Sequence, residues 1–504
     1  MTRIGKDWEK RLSGQPLQDN GFTPELKLKI RERVRMKKTK TKLAVRAALV
    51  LLCVLIAGSG WLYRDNLNEI LFGKPSTTIA AVIEKDLLAE EGELTLRVQA
   101  SQYSSFMNTF GKAFIIRHPS VRIELVNEPS QPQTLEEFQQ WAEKEQPDIY
   151  TLPLHYYAEL ASEGKLQPLD AWIKSDGLDM DAFHEPVIDL LREAGGGQLY
   201  GLSPDFATFG VYINKALFEQ HGIPLPTDGM TWEELLHTAA RFDGTGVTGL
   251  RLHEPPIKLA QYIGQTNGVQ AVSPDGDAVT MDTPAWEDIW SQVATGIQQG
   301  WIQSEASQSW TGERSMKQMM EGDPFAMGEA AMRLEASYYM NSLSHYTNIE
   351  GLELDWMVVT EPVNANEPNR ATHYYGGTVY AVNAASPHHK AAWELVKFIH
   401  SEAMAEKLER TSNTLLVRKG ALSSATAAEL APFYKLEPDP VAVLEEYRMR
   451  MGGTSRAAAQ NNIFHQKGDA LLQAVIREEM TVQAALQQLQ TELEAVPAQG
   501  GEQQ

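Results

Sequence analysis

Residues 198–242, QLYGLSPDFATFGVYINKALFEQHGIPLPTDGMTWEELLHTAARF, contain a strand, two helices and the punctuation between them. The apolar, aromatic run at 209–213 reads as a strand, followed by a short helix that starts near Lys215. His221, Gly222, Ile223, Pro224, Leu225 and Pro226 end that helix, because Gly tolerates left-handed dihedrals and Pro cannot continue an α-helical ladder. A second helix starts at Thr231. Its hydroxyl accepts the N–H bond of the helix start while Glu234, three residues on, bonds back, a capping box ahead of the apolar stripe Leu235, Leu236 and Ala239.

On the N-terminal side of this stretch, strand patterns alternate with helical ones from Glu93 onward, the signature of an α/β domain built on mainly parallel sheets. Strands are expected at 94–98, 121–126 and 148–152, with helices at 106–116 and 134–144 between them. Trp232, Trp286, Trp290 and Trp393 sit at helical spacings and are expected to pack in the core. Asp275, Gly276 and Asp277 read as a hairpin turn.

Charge is segregated along the chain. The 504 residues carry 45 Lys/Arg against 66 Asp/Glu, a net charge of -21. Residues 1–42 hold 13 Lys/Arg against 5 Asp/Glu, a net of +8, which leaves −29 on the remainder. An acidic body with no dominant basic stripe repels polyanions, so nucleic acid is not expected as a partner. Residues 43–63, LAVRAALVLLCVLIAGSGWLY, are long and apolar enough to cross a bilayer as one helix, with Arg46 placed to snorkel and Trp61 and Tyr63 at the interface. The basic flank keeps residues 1–42 cytoplasmic and exports the rest of the chain, as a single-pass protein of the cell membrane with a large extracellular domain. A leader of this length favours an uncleaved anchor; the small residues at 57–60 leave a signal-peptide cleavage site as the alternative. Cys53 is the only cysteine, which excludes an intramolecular disulfide, and Leu52 before it does not suit a lipobox. Residues 64–92 read as a juxtamembrane tether, and 497–504 as a polar, disordered end.

The order of elements in 198–242 resembles the extracellular solute-binding proteins of ABC importers, of the maltose-binding type. The resemblance continues in PDIYTLPLHYYAELASEGKLQPLDAWI at 147–173, PFAMGEAAMRLEASYY at 324–339, YYGGTVYAVNAASPHHKAAWELVKFI at 374–399 and TVQAALQQLQTELEAV at 481–496. It implies a two-lobed α/β fold of the periplasmic-binding-protein type II kind, in which ligand sits between lobes that close by hinge bending. Chain crossings are expected near 203–208, 369–373 and 413–417. These make residues 93–205 plus 372–413 the first lobe, and 206–371 plus 414–496 the second.

In such a cleft, ligand groups come from loops at the carboxyl ends of strands. That rule nominates Ser101, Gln102 and Tyr103 after the first strand, Leu154, His155 and Tyr156 after the third, and Asp205 and Phe206 at the first crossing. The second lobe adds Glu335 and Tyr338, and the return crossing adds Tyr374, Tyr375, Gly376 and Gly377. Aromatic faces suit the C–H face of a sugar ring while amides and carboxylates bond its hydroxyls, so a sugar or oligosaccharide is the expected ligand. Each nomination has a plainer reading. Tyr338 packs as an ordinary aromatic, His155 is a satisfied loop residue, Asp205 caps a turn, and Gly376 and Gly377 permit a turn or a close backbone approach. Where the maltose-binding type carries a Trp with acidic and basic groups, this chain has Leu152, His155 and Tyr156. Maltodextrin specificity is therefore not implied; another oligosaccharide, a polyol phosphate or a peptide stays open.

No P-loop, H-E-x-x-H or G-x-S-x-G occurs, and the region after the expected span has no cysteine nucleophile. Asp176, Asp179 and Asp181 lack calcium-loop spacing. No cofactor or metal is expected, and no covalent chemistry is needed: the chain reads as a capture protein for ABC permease subunits. A ligand sensor signalling through its membrane helix is the first alternative, and an extracellular carbohydrate-active enzyme the second.

Overall fold

The computed structural model describes residues 88–100, 103–127, 135–304, 315–411, 414–420, 424–451 and 455–497. The expected membrane span, the basic segment before it, almost all of the tether, Ser101 and Gln102 lie outside the described residues. Among the described residues no helix is long and apolar enough to cross a membrane.

The first sheet grows from the alternating runs identified in the sequence. β1 (Leu94–Gln99) buries Leu96 and Val98 and pairs in parallel with β2 (Val121–Val126), from Leu94 opposite Val121 to Gln99 opposite Val126. Between them run α1 (Tyr103–Phe106), a π-helical turn at Met107–Gly111 and α2 (Lys112–Arg117). α3 (Leu135–Glu145) buries Phe138, Trp141 and Ala142, the i, i+3, i+4 stripe of a helix lying on a sheet. β3 (Ile149–Leu152) follows on the other side of β1, then α4 (Leu154–Ser162), α5 (Asp170–Asp176) and α6 (Glu185–Ala194). β4 (Gly201–Leu202) is the last strand before the chain leaves this sheet.

β5 (Asp205–Asn214) then opens the second sheet. Asn214 caps α7 (Lys215–His221), which ends on Gly222 with φ 62, the left-handed conformation that a Cβ disfavours. α8 (Trp232–Ala240) carries the complete Thr231–Glu234 capping box, a feature that stabilises a helix start by about 1 kcal/mol. β6 (Thr248–Leu252), α9 (Pro256–Thr266), α10 (Pro284–Gln298), β7 (Ile302–Ser304), α11 (Met316–Glu321), β8 (Ala330–Ala336), α12 (Tyr339–Glu350) and β9 (Trp356–Thr360) follow. β5 lies between β8 and β9, antiparallel to both, while β6 runs parallel to β7 and β8. Trp232, Trp286 and Trp290 are 2%, 1% and 0% exposed in the second core, and Trp393 is 5% exposed in the first, the packing role their spacing implied.

Three passages link the sheets. The first lies between β4 and β5, at residues 203–204. After β10 (Arg370–Ala371), β11 (Tyr374–Gly376) pairs with the first half of β5, Tyr374 opposite Thr208, and β12 (Val379–Val382) then joins the first sheet between β3 and β4. The return therefore falls at Gly377 and Thr378, because the β11–β5 pairing holds the chain to the second sheet until Gly376. α13 (His389–Ile399) and α14 (Glu402–Thr411) precede β13 (Leu415–Leu416), which pairs with Asp205 and Phe206 of β5. α15 (Ser424–Leu430), β14 (Glu437–Pro438), α16 (Pro440–Met451), α17 (Arg456–Ile476) and α18 (Val482–Glu494) complete the chain. β14 pairs with β10, and α16 packs on α4 and α6 of the first sheet's layer as well as on α17 of the second.

Candidate ligand-binding cleft

A cavity of about 520 Å³ opens at the carboxyl ends of β1 and β3. Gln99 and Ala100 reach it from β1, and Thr151 to Leu154 from β3 and the start of α4. Ser105, Thr109 and the rings of Phe106 and Phe110 come from the first helical segment, Gly376 to Thr378 from the return passage, and Tyr447 from α16. Gln99 fixes this rim: its Oε1 accepts from the Thr151 backbone N–H at 3.0 Å, and its carbonyl accepts from Thr151 Oγ1 at 3.2 Å.

Gly377 is where backbone has to approach backbone. A Cβ there would lie 2.2 Å from both the carbonyl oxygen and Oδ1 of Asp205, and 2.7 Å from Ser203 Oγ. Asp205 thus stands behind the glycine wall of the cavity. Desolvation pushes its carboxyl up to about 6, while Ser203 Oγ donates to its carbonyl at 2.7 Å. A Cβ at Gly376 would meet only Leu190 and Leu154, at ordinary van der Waals distance.

His155, in the first turn of α4, stacks on Tyr447 at 6.0 Å between centroids with 18° between planes, and meets Tyr156 edge-on at 4.4 Å. Neither ring nitrogen has a hydrogen-bond partner among the described residues, and burial lowers its pKa to about 4, so the ring is neutral at pH 7. The His155–Tyr447 pair joins the layer of the first sheet to α16 at the edge of the cavity.

The second sheet presents its own face at the carboxyl ends of β6 and β8. Glu335 is held at 2.8 Å by Arg333 Nη2, and Arg333 Nη1 binds Asp323 at 3.0 Å. Tyr339 donates to the other oxygen of Asp323 at 2.7 Å, and its ring carries the Arg333 guanidinium at 4.0 Å. Arg251 is the cross-strand partner of Arg333. Tyr338, 60% exposed, stands beside Glu335; partial burial, then the charges of Glu335 and Glu254, raise its pKa. Burial first, and then Tyr375, Glu254, Glu446 and Glu335, push the Tyr262 hydroxyl up. This face is ringed by carboxylates and aromatic hydroxyls.

The structure therefore brings Gly376 and Gly377 to the cavity wall, with Asp205 behind them and His155 at its edge. Glu335 and Tyr338 meet on the second sheet, and half-buried Tyr375 lies 6.0 Å from Phe209. Phe206, 3% exposed, is packed between Tyr374 and His184 with Tyr434 edge-on, and Tyr156 turns to Phe138 at 5.0 Å; both serve the core. Tyr374 is likewise buried. Tyr103 opens α1, and Gln102 lies outside the described residues. Sequence reasoning missed His253 and Glu254, although the strand-end rule applied to β6 would have found them. It also missed Thr151, Thr378 and Tyr447. Tyr447 carries no local signal, since only the packing of α16 brings it to the cavity.

Comparison with known proteins agrees with this architecture. A binding protein of Brucella abortus is 24% identical over 304 residues, 58% of this chain and 68% of that protein. The sugar-binding protein MalE of Xanthomonas citri superposes with a TM-score of 0.57 at 17% identity, over 80% of this chain and 97% of that one. A sugar transporter of Rhizobium etli, in an open conformation, gives 0.56 at 19% identity, over 80% and 100%. The GacH receptor of Streptomyces glaucescens, solved unliganded and with acarbose, gives 0.54 at 18%, over 80% and 98%. At these identities the structural likeness speaks to the two-lobed fold alone. The family described as bacterial extracellular solute-binding protein matches residues 106–433, more than half of the chain, and this protein belongs to that family.

Proposed function

We propose that the protein captures a small neutral solute, a sugar or oligosaccharide, in the cleft between the two sheets and delivers it to an ABC importer. The observation that carries this reading is the cavity at the carboxyl ends of β1 and β3, walled by the glycines of the return passage and by Tyr447 of α16. Hydroxyl-rich ligands donate to carboxylates and stack on tyrosines. The sugar ligands in the names of the structural relatives support the same class. In this reading the two lobes are the bodies built on the two sheets, with the passages beside β5, β11 and β13 as the hinge. Residues 43–63 anchor the domain outside the cell. His155, Asp205, Glu335, Tyr338, Tyr375, Gly376 and Gly377 are the ligand-side residues of the nominated set.

The test is a thermal-shift and calorimetric screen of the purified protein against mono- and oligosaccharides, glycerophosphodiesters and short peptides. Binding to the native state alone raises the midpoint by linkage. Saccharide hits weakened by Tyr338→Ala and Tyr375→Ala support the proposal. A screen in which only phosphate-bearing ligands stabilise, or in which a saccharide is cleaved, would overturn it. Replacing residues 1–63 by a lipid anchor separates transport from sensing, because uptake survives that exchange and signalling through the helix does not.

A further inference from the structure

Gln99, the last residue of β1, is 3% exposed and stands in the wall of the cleft cavity. Two bonds from one residue of β3 fix it there: the Thr151 backbone N–H donates to Gln99 Oε1 at 3.0 Å, and the Thr151 hydroxyl donates to the Gln99 carbonyl at 3.2 Å. A backbone N–H can only donate, so the oxygen of the carboxamide is the end turned to Thr151 and Nε2 is the free end. That Nε2 keeps accessible surface, and nothing among the described residues accepts either of its N–H groups.

The rest of the wall is uncharged. Among the described residues that line the cavity, Ser105, Thr109 and Tyr380 bring hydroxyls, and Phe106 and Phe110 bring rings 5.9 Å apart. Tyr380 is the cross-strand partner of Thr151 and meets Phe110 edge-on, also at 5.9 Å. A hydroxyl rotates to donate or to accept, whereas an amide N–H only donates. Gln99 therefore makes a fixed demand on a guest, an acceptor oxygen, where the hydroxyls around it adapt.

We infer that Gln99 is a ligand-binding residue that sets specificity in the cleft, its Nε2 donating to an acceptor oxygen of a neutral, sugar-like ligand whose apolar face lies on the aromatic rings. The inference rests on the cleft being the binding site proposed above, and adds what that site requires of its ligand. A glutamine that only tied β1 to β3 would need its Oε1 and no more.

Gln99→Glu separates the two roles, because it keeps the oxygen that Thr151 needs and replaces the donor by a second oxygen. Sucrose, trehalose and raffinose are the probes, with glycerophosphocholine and trialanine as controls, in calorimetry of the full-length protein in mild detergent between pH 5 and pH 8. At pH 8 the variant should bind the saccharide taken by the wild type on the order of a hundredfold more weakly, since an acceptor then faces an acceptor. Burial without a counter-charge raises a carboxyl pKa, so acidification returns a donor to this position; relative to the wild type, affinity should recover by about tenfold toward pH 5. Gln99→Met, which has no donor at any pH, should be weak throughout. Wild-type affinity in Gln99→Met, or a loss in Gln99→Glu that pH does not move, would overturn the assignment. A wild-type protein that takes only glycerophosphocholine or trialanine fails the saccharide reading instead, and the two variants titrated with that ligand support or overturn Gln99 as the donor by the same measures.

Discussion

Glu361 Oε2 lies 2.5 Å from His373 Nδ1, and the other oxygen of the same carboxylate accepts the backbone N–H groups of Thr372 at 2.8 Å and His373 at 3.0 Å. Both side chains are buried, 1% and 2% exposed, and the imidazole is packed against Phe209 and Tyr262. One carboxylate thus organises the segment that leads into β11 and the return passage. Glu361→Ala would strand two backbone donors and an imidazole in the core, a loss of about 3–5 kcal/mol. Glu361→Gln keeps an acceptor for the backbone and should lose clearly less. Chemical denaturation of the two variants checks the order; equal losses would mean that the pairing of the carboxylate with His373, which an amide cannot replace, carries the whole effect.

Gly377 carries the second prediction. Gly377→Ala sets a Cβ against Asp205 at 2.2 Å, so the return passage has to shift relative to β5, at a cost of about 1–3 kcal/mol for overpacking. Gly376→Ala meets nothing closer than 3.5 Å and should be tolerated. Melting temperatures of the two variants, side by side, decide whether close approach or ligand access accounts for this glycine pair.

Asp205 and His400 make opposite contributions to acid stability. The His400 pKa is lowered from 6.5 to about 4 by burial, so the unfolded chain binds its proton first; its contribution is intact above pH 6.5 and is lost as the pH falls toward 4. The Asp205 carboxyl is raised from 3.8 to about 6, so its contribution has the other sign, present below pH 4 and lost as the pH rises through 6. Asp205→Asn should therefore stabilise the protein at pH 7 by about 1–3 kcal/mol and steepen the loss on acidification. Urea midpoints between pH 4.5 and 7.5 measure both. An Asp205→Asn protein that is less stable at pH 7 would show that the carboxylate is needed in its ionised form.

The regular elements were legible because local chemistry dictates them. The Thr231–Glu234 box, the Gly222 stop and the alternation of β1 each follow from neighbours in the chain, and each is found where the pattern puts it. The site was legible only by half. Strand ends could be counted, which led to Gly376 and Gly377, but whether a side chain at a strand end turns to the cleft or to the core depends on contacts distant in sequence. Phe206 turns inward because His184 and Tyr374 offer it two faces, and Tyr156 because Phe138 does. The return passage falls after Gly376 rather than near 369–373 for the same kind of reason: three backbone pairings between β11 and β5 hold the chain to the second sheet.

Tyr447 provides the last prediction, since it brings α16 to both His155 and the cleft cavity. Tyr447 is half-buried and its ring lies nearly parallel to a neutral imidazole, an aromatic contact worth about 0.5–1.5 kcal/mol. If α16 forms part of the closing surface, Tyr447→Ala should weaken saccharide binding about three- to tenfold, mainly through faster release, because an open cleft loses a wall rather than an anchor point. Tyr447→Phe keeps the stack and should restore most of the affinity. The effect on melting temperature should be small in both. Stopped-flow release rates set beside melting temperatures distinguish this from a packing role, in which the stability of Tyr447→Ala would fall in step with its affinity.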